Sequence, residues 1–218
     1  MKTLDIDIVS DVACPWCAIG YKRLEQAMAE LDGEIALSLR WRPFQLNPEM
    51  PPEGEPILEH LTRKYGRSAQ EMEAAQQQIV EAAHALGLNF AGAHQRRAHN
   101  TFDAHRLLAW AGRHDRQTEL NLSLFDAYFG HALNPSDAAV LRQAAEEAGL
   151  PGDEAARVLA EGDYAEEVRR EEDYYKRAGI SGVPGFVIQG QYLVSGAQEP
   201  AVLVGALREI AGEQDAHA

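Results

Sequence analysis

Leu4-Asp5-Ile6-Asp7-Ile8-Val9-Ser10, followed by Asp11-Val12-Ala13-Cys14-Pro15-Trp16-Cys17, is the stretch on which the fold turns. Its first run alternates apolar and polar residues, the period of a half-buried strand. From Ala18 to Leu31 apolar residues recur at helical spacing, and Pro15 suits a first helical turn because its missing N–H is no loss there. A strand therefore leads into Cys-x-x-Cys at a helix start. Backbone N–H groups without intrahelical partners and the positive end of the helix dipole converge on Cys14. Both favour thiolate, the nucleophile of disulfide exchange, and Cys17 lies one turn away, within reach to resolve a mixed disulfide.

These are the only two cysteines in 218 residues. A structural zinc site normally takes four ligands, and neither a third cysteine nor a His-x-x-x-His pair completes a set. His94, His99, His105 and His114 share no ligand spacing. A structural disulfide here would close a very small loop and constrain the unfolded chain little. Two inert thiols are the remaining alternative to a redox pair.

The formal net charge of −14 argues against nucleic acid and anionic membranes as partners, because such a surface is repelled by both. Acidic residues crowd between Glu146 and Asp173, read as solvated helix faces. No apolar run approaches the ~18 residues of a membrane span. The chain enters a charged strand directly without a leader-like apolar segment, so the expected location is cytoplasmic. In that compartment a cysteine pair is more often catalytic or metal-binding than structural.

The periodicity predicts a strand over about 4–10, a helix over 15–31 and a second strand over 35–41, a β-α-β unit whose first connection holds the cysteines. Prolines at 43, 48, 51, 52 and 56 then break regular structure. Helices are expected over 57–65, 68–86, 101–113, 116–129, 137–148, 153–160 and 164–178. Phe186–Gln189 and Tyr192–Val194 read as a hairpin across Gly190, followed by a helix over 199–211 and a frayed tail from Glu213 to Ala218. The two ends make one small α/β sheet layer. The middle is an all-helical insertion.

This order, together with Ser10-Asp11-Val12-Ala13-Cys14-Pro15-Trp16-Cys17, Pro43-Phe44-Gln45-Leu46-Asn47-Pro48, Asn100-Thr101-Phe102-Asp103-Ala104-His105-Arg106 and Ser181-Gly182-Val183-Pro184 continuing to Val194-Ser195-Gly196-Ala197-Gln198, resembles the DsbA family of thiol–disulfide oxidoreductases, and within it the FrnE-like branch. The resemblance implies a thioredoxin-like α/β fold over residues 1–50 and 179–218 with a large all-helical inserted subdomain over 51–178. It implies that Cys14 attacks, that Cys17 resolves, and that Val183-Pro184 forms a cis-proline loop presenting backbone to an extended substrate. Otherwise Pro184 would simply begin an edge strand. No metal and no bound organic cofactor are expected, since the electrons reside in the cysteine pair. Glutathione is a candidate co-substrate, and the partner is a disulfide- or dithiol-containing protein or small molecule. Gly185 departs from the bulkier residue expected after the proline, which would enlarge the substrate groove or loosen the loop. Trp16 cannot offer positive charge as a histidine would, so electrostatic help for Cys14 is expected mainly from the helix terminus.

Trp16 is expected to be an exposed aromatic beside the nucleophile, suited to contacting substrate. Asn100 reads as an N-cap or as part of the substrate groove, and Asp103 as an acid favouring the same helix start. His105, one turn from Thr101, is a candidate to face the cleft. Asp11 is either a proton relay or a turn cap. Two rival functions remain: a glutathione-binding enzyme resembling kappa-class transferases or 2-hydroxychromene-2-carboxylate isomerases, and a non-enzymatic chaperone-like binding module. A resolving Cys17 has no task in the former.

Overall fold

The computed structural model describes residues 2–216. β1 (Lys2–Ser10) lies between β2 (Ile35–Pro43), parallel to it, and the antiparallel β5 (Gly185–Ile188), which pairs in turn with β6 (Tyr192–Ser195). Because β5 runs against β1, with Gly185 opposite Val9, the chain enters β5 at the end where β1 leaves the sheet. This puts residues 183–184 beside the cysteines. β5 is an interior strand and Pro184 precedes it, so the edge-strand reading of that proline is wrong.

Alternation along β1 sorts its side chains. Leu4, Ile6 and Ile8 are almost wholly buried against α1 (Pro15–Glu30), α9 (Pro200–Ala216), Phe186 and Ile188. Each contributes about 1.5–3 kcal/mol of apolar burial. On the other face Val9 meets Phe44 and Ile180, as well as Tyr175 of α8 (Ala165–Arg177). Asp7 holds Arg40 and Arg42 there, each at 2.9 Å.

The insertion comprises α2 (Ile57–Tyr65), α3 (Ala69–Ala85), α4 (Phe102–Ala111), α5 (Gln117–Phe125), α6 (Ala138–Glu147), α7 (Gly152–Glu161) and α8. A capping box starts α3: Ser68 Oγ accepts from the Glu71 N–H and Glu71 Oε2 accepts from the Ser68 N–H. Asp137 caps α6 through the Ala139 N–H at 2.8 Å. Val80, Ala83, Phe90, Phe125 and Phe129 join the core of the sheet, so part of this block packs directly on α1. The rest closes a second core among α4, α5, α6 and α7 that also takes in Val12.

Several boundaries differ from the sequence reading. The segment expected as one helix over 116–129 ends as α5 at Phe125 and continues as a wider π turn over Asp126–Gly130. The two-residue strands β3 (Glu55–Pro56) and β4 (Arg97–Ala98) pair in a separate small sheet too short to leave a periodicity. Strand β5 stops at Ile188, and Gln189 and Gly190 turn with positive φ. α9 extends through residues 213–216, which the sequence reading placed in a frayed tail; residues 217 and 218 lie outside the described residues.

Candidate active site

Cys14 occupies the N-cap of α1 in extended conformation, with Pro15 beginning the helix. Its N–H donates to the Asp11 carbonyl at 3.0 Å, and its carbonyl accepts from the Cys17 N–H at 3.1 Å. Both cysteines are free thiols. Their settings differ. Cys17 is 1% exposed and Cys14 is 4% exposed, flanked by Trp16 at 42%. Burial holds the Cys17 thiol well above its ordinary range, and the adjacent Cys14 sulfur adds to the effect. The Ser10 hydroxyl, which has no oxygen or nitrogen partner, and the Asp11 backbone act in the opposite sense.

The Val183–Pro184 peptide is cis, and the Val183 carbonyl lies 3.6 Å from Cys14 Sγ. Pro184 sits against α1 at Gly20. A Cβ at that position would come within 3.0 Å of Pro184 Cγ and 3.4 Å of Ala197, so any larger residue requires these neighbours to give by a few tenths of an ångström. The Pro184 carbonyl accepts from the Gly196 N–H at 2.8 Å, which ties the loop to the segment after β6. Gly185 does not open a groove toward the cysteines. A side chain there would meet Leu193 and Ile180 at ordinary contact distance.

Asp11 is a structural clamp. It is 1% exposed; Oδ1 accepts from the Ala13 N–H at 3.2 Å and Oδ2 from the Leu46 N–H at 2.7 Å. The turn before Cys14 is thereby fastened to the loop after β2. That loop is held again where Gln45 donates through its backbone N–H and Nε2 to the buried Glu172, both at 2.9 Å. Lys176 stands 2.9 Å from the same carboxylate. Burial opposes ionisation of Glu172, but Lys176 and Gln45 outweigh it and hold the carboxyl below its usual range.

His105 is buried at 4% exposure, and its Nε2 lies 3.0 Å from the Phe44 carbonyl and 3.6 Å from Asp11 Oδ1. A carbonyl only accepts, so Nε2 carries the proton. The residue ties α4 to the loop after β2. Asn100 is likewise engaged: Nδ2 donates to the Pro48 carbonyl at 2.7 Å and Oδ1 accepts from the Phe102 N–H at 2.8 Å. The cap of α4 is Thr101, without a side-chain bond, so the N-cap expected at Asn100 falls one residue early. The structure thus gathers Cys14, Cys17, Trp16, Val183 and Pro184 at one end of the sheet, while Asn100 and His105 bond the backbone of the loop after β2.

The sequence matches the DSBA-like thioredoxin domain family over residues 5–208. The chain belongs to that family. A probable DsbA oxidoreductase from Streptomyces coelicolor superimposes with a TM-score of 0.88 at 36% identity, covering 96% of this chain and 91% of the other. A 2-hydroxychromene-2-carboxylate isomerase shares the fold at TM-score 0.69 and 15% identity, covering 98% of this chain and 99% of the isomerase. So does the cytosolic disulfide reductase DsbM from Pseudomonas aeruginosa, whose structure was solved with GSH, at 0.62 and 18%, covering 94% and 99%. An uncharacterized Bacillus subtilis protein is 29% identical over 209 residues, 95% of this chain and 97% of its own length. The thioredoxin-like DsbA fold expected from the sequence is the fold of this family member. Among the described residues no helix is long and apolar enough to cross a membrane, and no group of three or more His, Cys, Asp or Glu could hold a metal ion.

One residue at the site escaped the sequence reading. Arg96, only 6% exposed, places a guanidinium over the Tyr128 and Phe129 rings in a narrow cleft that Pro15 also lines. Nothing in Gln95-Arg96-Arg97 marks the middle residue as buried; its neighbour Arg97 is exposed.

Proposed function

We propose that this DsbA-family member exchanges disulfides through Cys14 and Cys17. The observation that carries the reading is the asymmetry of the pair: Cys14 at the helix terminus beside the Val183 carbonyl, Cys17 sealed beneath it as a protonated thiol. Cys14 thiolate attacks one sulfur of a substrate disulfide; that S–S bond breaks, the first substrate thiol leaves, and a mixed disulfide forms. Cys17 then loses its proton and attacks Cys14 sulfur, releasing the second substrate thiol. Two electrons pass to the substrate and Cys14–Cys17 becomes a disulfide. The same steps reversed oxidise a dithiol. The backbone around Val183 and the exposed Trp16 ring are the contacts offered to an extended substrate. No bound organic cofactor takes part, and glutathione is a co-substrate candidate that would recycle the pair. A FrnE-like, cytoplasmic assignment belongs to the same proposal.

The test is trapping with Cys17→Ala. It should accumulate mixed disulfides at Cys14 that mass spectrometry identifies, while Cys14→Ser should lose disulfide reductase turnover. Equal alkylation rates of both thiols near neutral pH would overturn the assignment. The shared fold with the isomerase keeps a glutathione-dependent transferase or isomerase as the second reading. Full activity of Cys17→Ala in glutathione-dependent isomerisation or conjugation would favour it. Client binding that survives loss of both cysteines, with function intact, would favour a chaperone-like module.

A further inference from the structure

β2 is an edge strand, and Gln117 of α5 covers part of its open side. The Trp41 N–H donates to Gln117 Oε1 at 2.8 Å, and Gln117 Nε2 donates back to the Trp41 carbonyl at 3.1 Å. Pro43, two residues on along the same edge, has no N–H to offer. One helical turn after Gln117 stands Asn121, 1% exposed, with neither Oδ1 nor Nδ2 partnered. Ser10, opposite Pro43 in the β1–β2 register and 3% exposed, leaves its Oγ without a hydrogen-bond partner too. Buried polar atoms of this kind are costly unless something bonds them.

Both side chains line one cavity of about 370 Å³, within the roughly 300–1,000 Å³ of small-molecule sites. Trp41, Pro43 and Leu108, all buried, give it an apolar wall. Arg40, Arg113 and Arg170 are exposed and Arg42 is half-buried, so the cations stand at its rim. Three of them are answered by carboxylates: Asp7 meets Arg40 and Arg42 at 2.9 Å, Glu171 meets Arg42 at 2.6 Å, and Glu167 meets Arg113 at 3.0 Å. Arg170 has no carboxylate within ion-pair distance among the described residues. A surplus of positive charge thus collects here in a chain of formal net charge −14. None of Cys14, Cys17, Trp16, Val183 and Pro184 lines the cavity.

We propose that this cavity between β2, α4, α5 and α8 binds a small hydroxylated oxyanion, a carboxylate or a phosphate, with its charge on the rim arginines and its hydroxyl groups on Asn121 and Ser10. A guanidinium offers either oxyanion paired N–H donors. An amide and a hydroxyl both donate and accept, which suits a ligand hydroxyl. Exposed ion pairs are weak, so the rim arginines exchange a carboxylate of the protein for one of the ligand at little cost. The bound molecule would bridge the sheet edge to three helices of the insertion.

The experiment is titration of the full chain with citrate, with glycerol 3-phosphate and, as the neutral control, with glycerol. The readouts are the Asn121 side-chain NH2 resonances and the thermal unfolding midpoint. At least one of the two anions should shift the NH2 pair saturably at millimolar concentration and raise the midpoint, and glycerol should do neither. Which anion binds distinguishes a carboxylate from a phosphate ligand. Arg170→Gln should weaken binding about tenfold, as loss of a charge-assisted hydrogen bond does, and Asn121→Leu by a similar factor. Cys14→Ser should bind as the parent does. An NH2 pair indifferent to both anions means that water alone fills the cavity and overturns the proposal. Unchanged affinity in Arg170→Gln overturns it as a nonspecific anion effect, and binding lost in Cys14→Ser overturns it by moving the probe to the cysteines. Should Asn121→Leu not fold, the NH2 pair of the parent and the affinity of Arg170→Gln decide the matter.

Discussion

Between α4, α5, α6 and α7 the interior is apolar and mostly aliphatic, built from Leu107, Leu120, Leu124, Leu141 and Val158 with many alanines and Trp110. Around the loop after β2 the buried groups are polar: Asp11, Gln45, His105 and Glu172. The two regions adjoin, and Val12 belongs to the first while its neighbour Asp11 belongs to the second. Apolar contact is non-directional and holds helices together by area. Hydrogen bonds are directional, and an unmade buried one is costly, so the polar region fixes where its parts sit. The lesson is a division of labour: the aliphatic core supplies stability, and the polar seam sets the turn that carries Cys14.

The largest expected effect separates these roles. Leu120→Ala, at a position 0% exposed, should destabilise by about 2–5 kcal/mol in urea unfolding. Cys14 alkylation per folded molecule should be unchanged. A variant that also loses Cys14 reactivity would break the distinction.

Next is Asp11→Ala, which strips the acceptor from the half-buried Leu46 N–H and the buried Ala13 N–H. It should cost about 1–3 kcal/mol and also slow exchange with a model disulfide several-fold, because the turn before Cys14 loses its tether. Destabilisation with unchanged exchange kinetics would make the seam no different from the aliphatic core.

The smallest effect concerns pH. The folded-state value of Cys17 is raised, so its contribution to the reduced protein is fully present below the unfolded thiol value of about 8.5 and is lost as pH rises toward the folded value. The limiting slope is about 1.4 kcal/mol per pH unit. Unfolding curves of the reduced protein from pH 7 to 10 should show this decline, and Cys17→Ala should lack it. Leu120→Ala should keep it, since its core does not touch the thiol. An identical slope in Cys17→Ala would assign the pH dependence elsewhere.

Local pattern carried most elements of this chain. β1, α1 and the Cys-x-x-Cys between them follow from period-2 and period-3.6 spacing and from a proline at a helix start, all readable over short windows. The helix over 57–65 was legible to the residue, because Pro56 precedes it and Gly66 ends it in a left-handed turn. The two-residue pairing of β3 with β4 was not, since two residues have no period.

What sequence by itself determined here is the chemistry available: two thiols three apart at the start of a helix, and a proline far along the chain that resemblance set beside them. What only the tertiary structure decided is how the rest is arranged around them. Asn100 and His105 became struts because their polar atoms found backbone partners 52 and 61 residues away. Gly20 gained a close packing contact because Pro184 comes to rest on it. Arg96 came to lie in a narrow cleft with Pro15 because part of the insertion packs on α1. Burial and long-range pairing are properties of the packed whole, and no local window of residues encodes them.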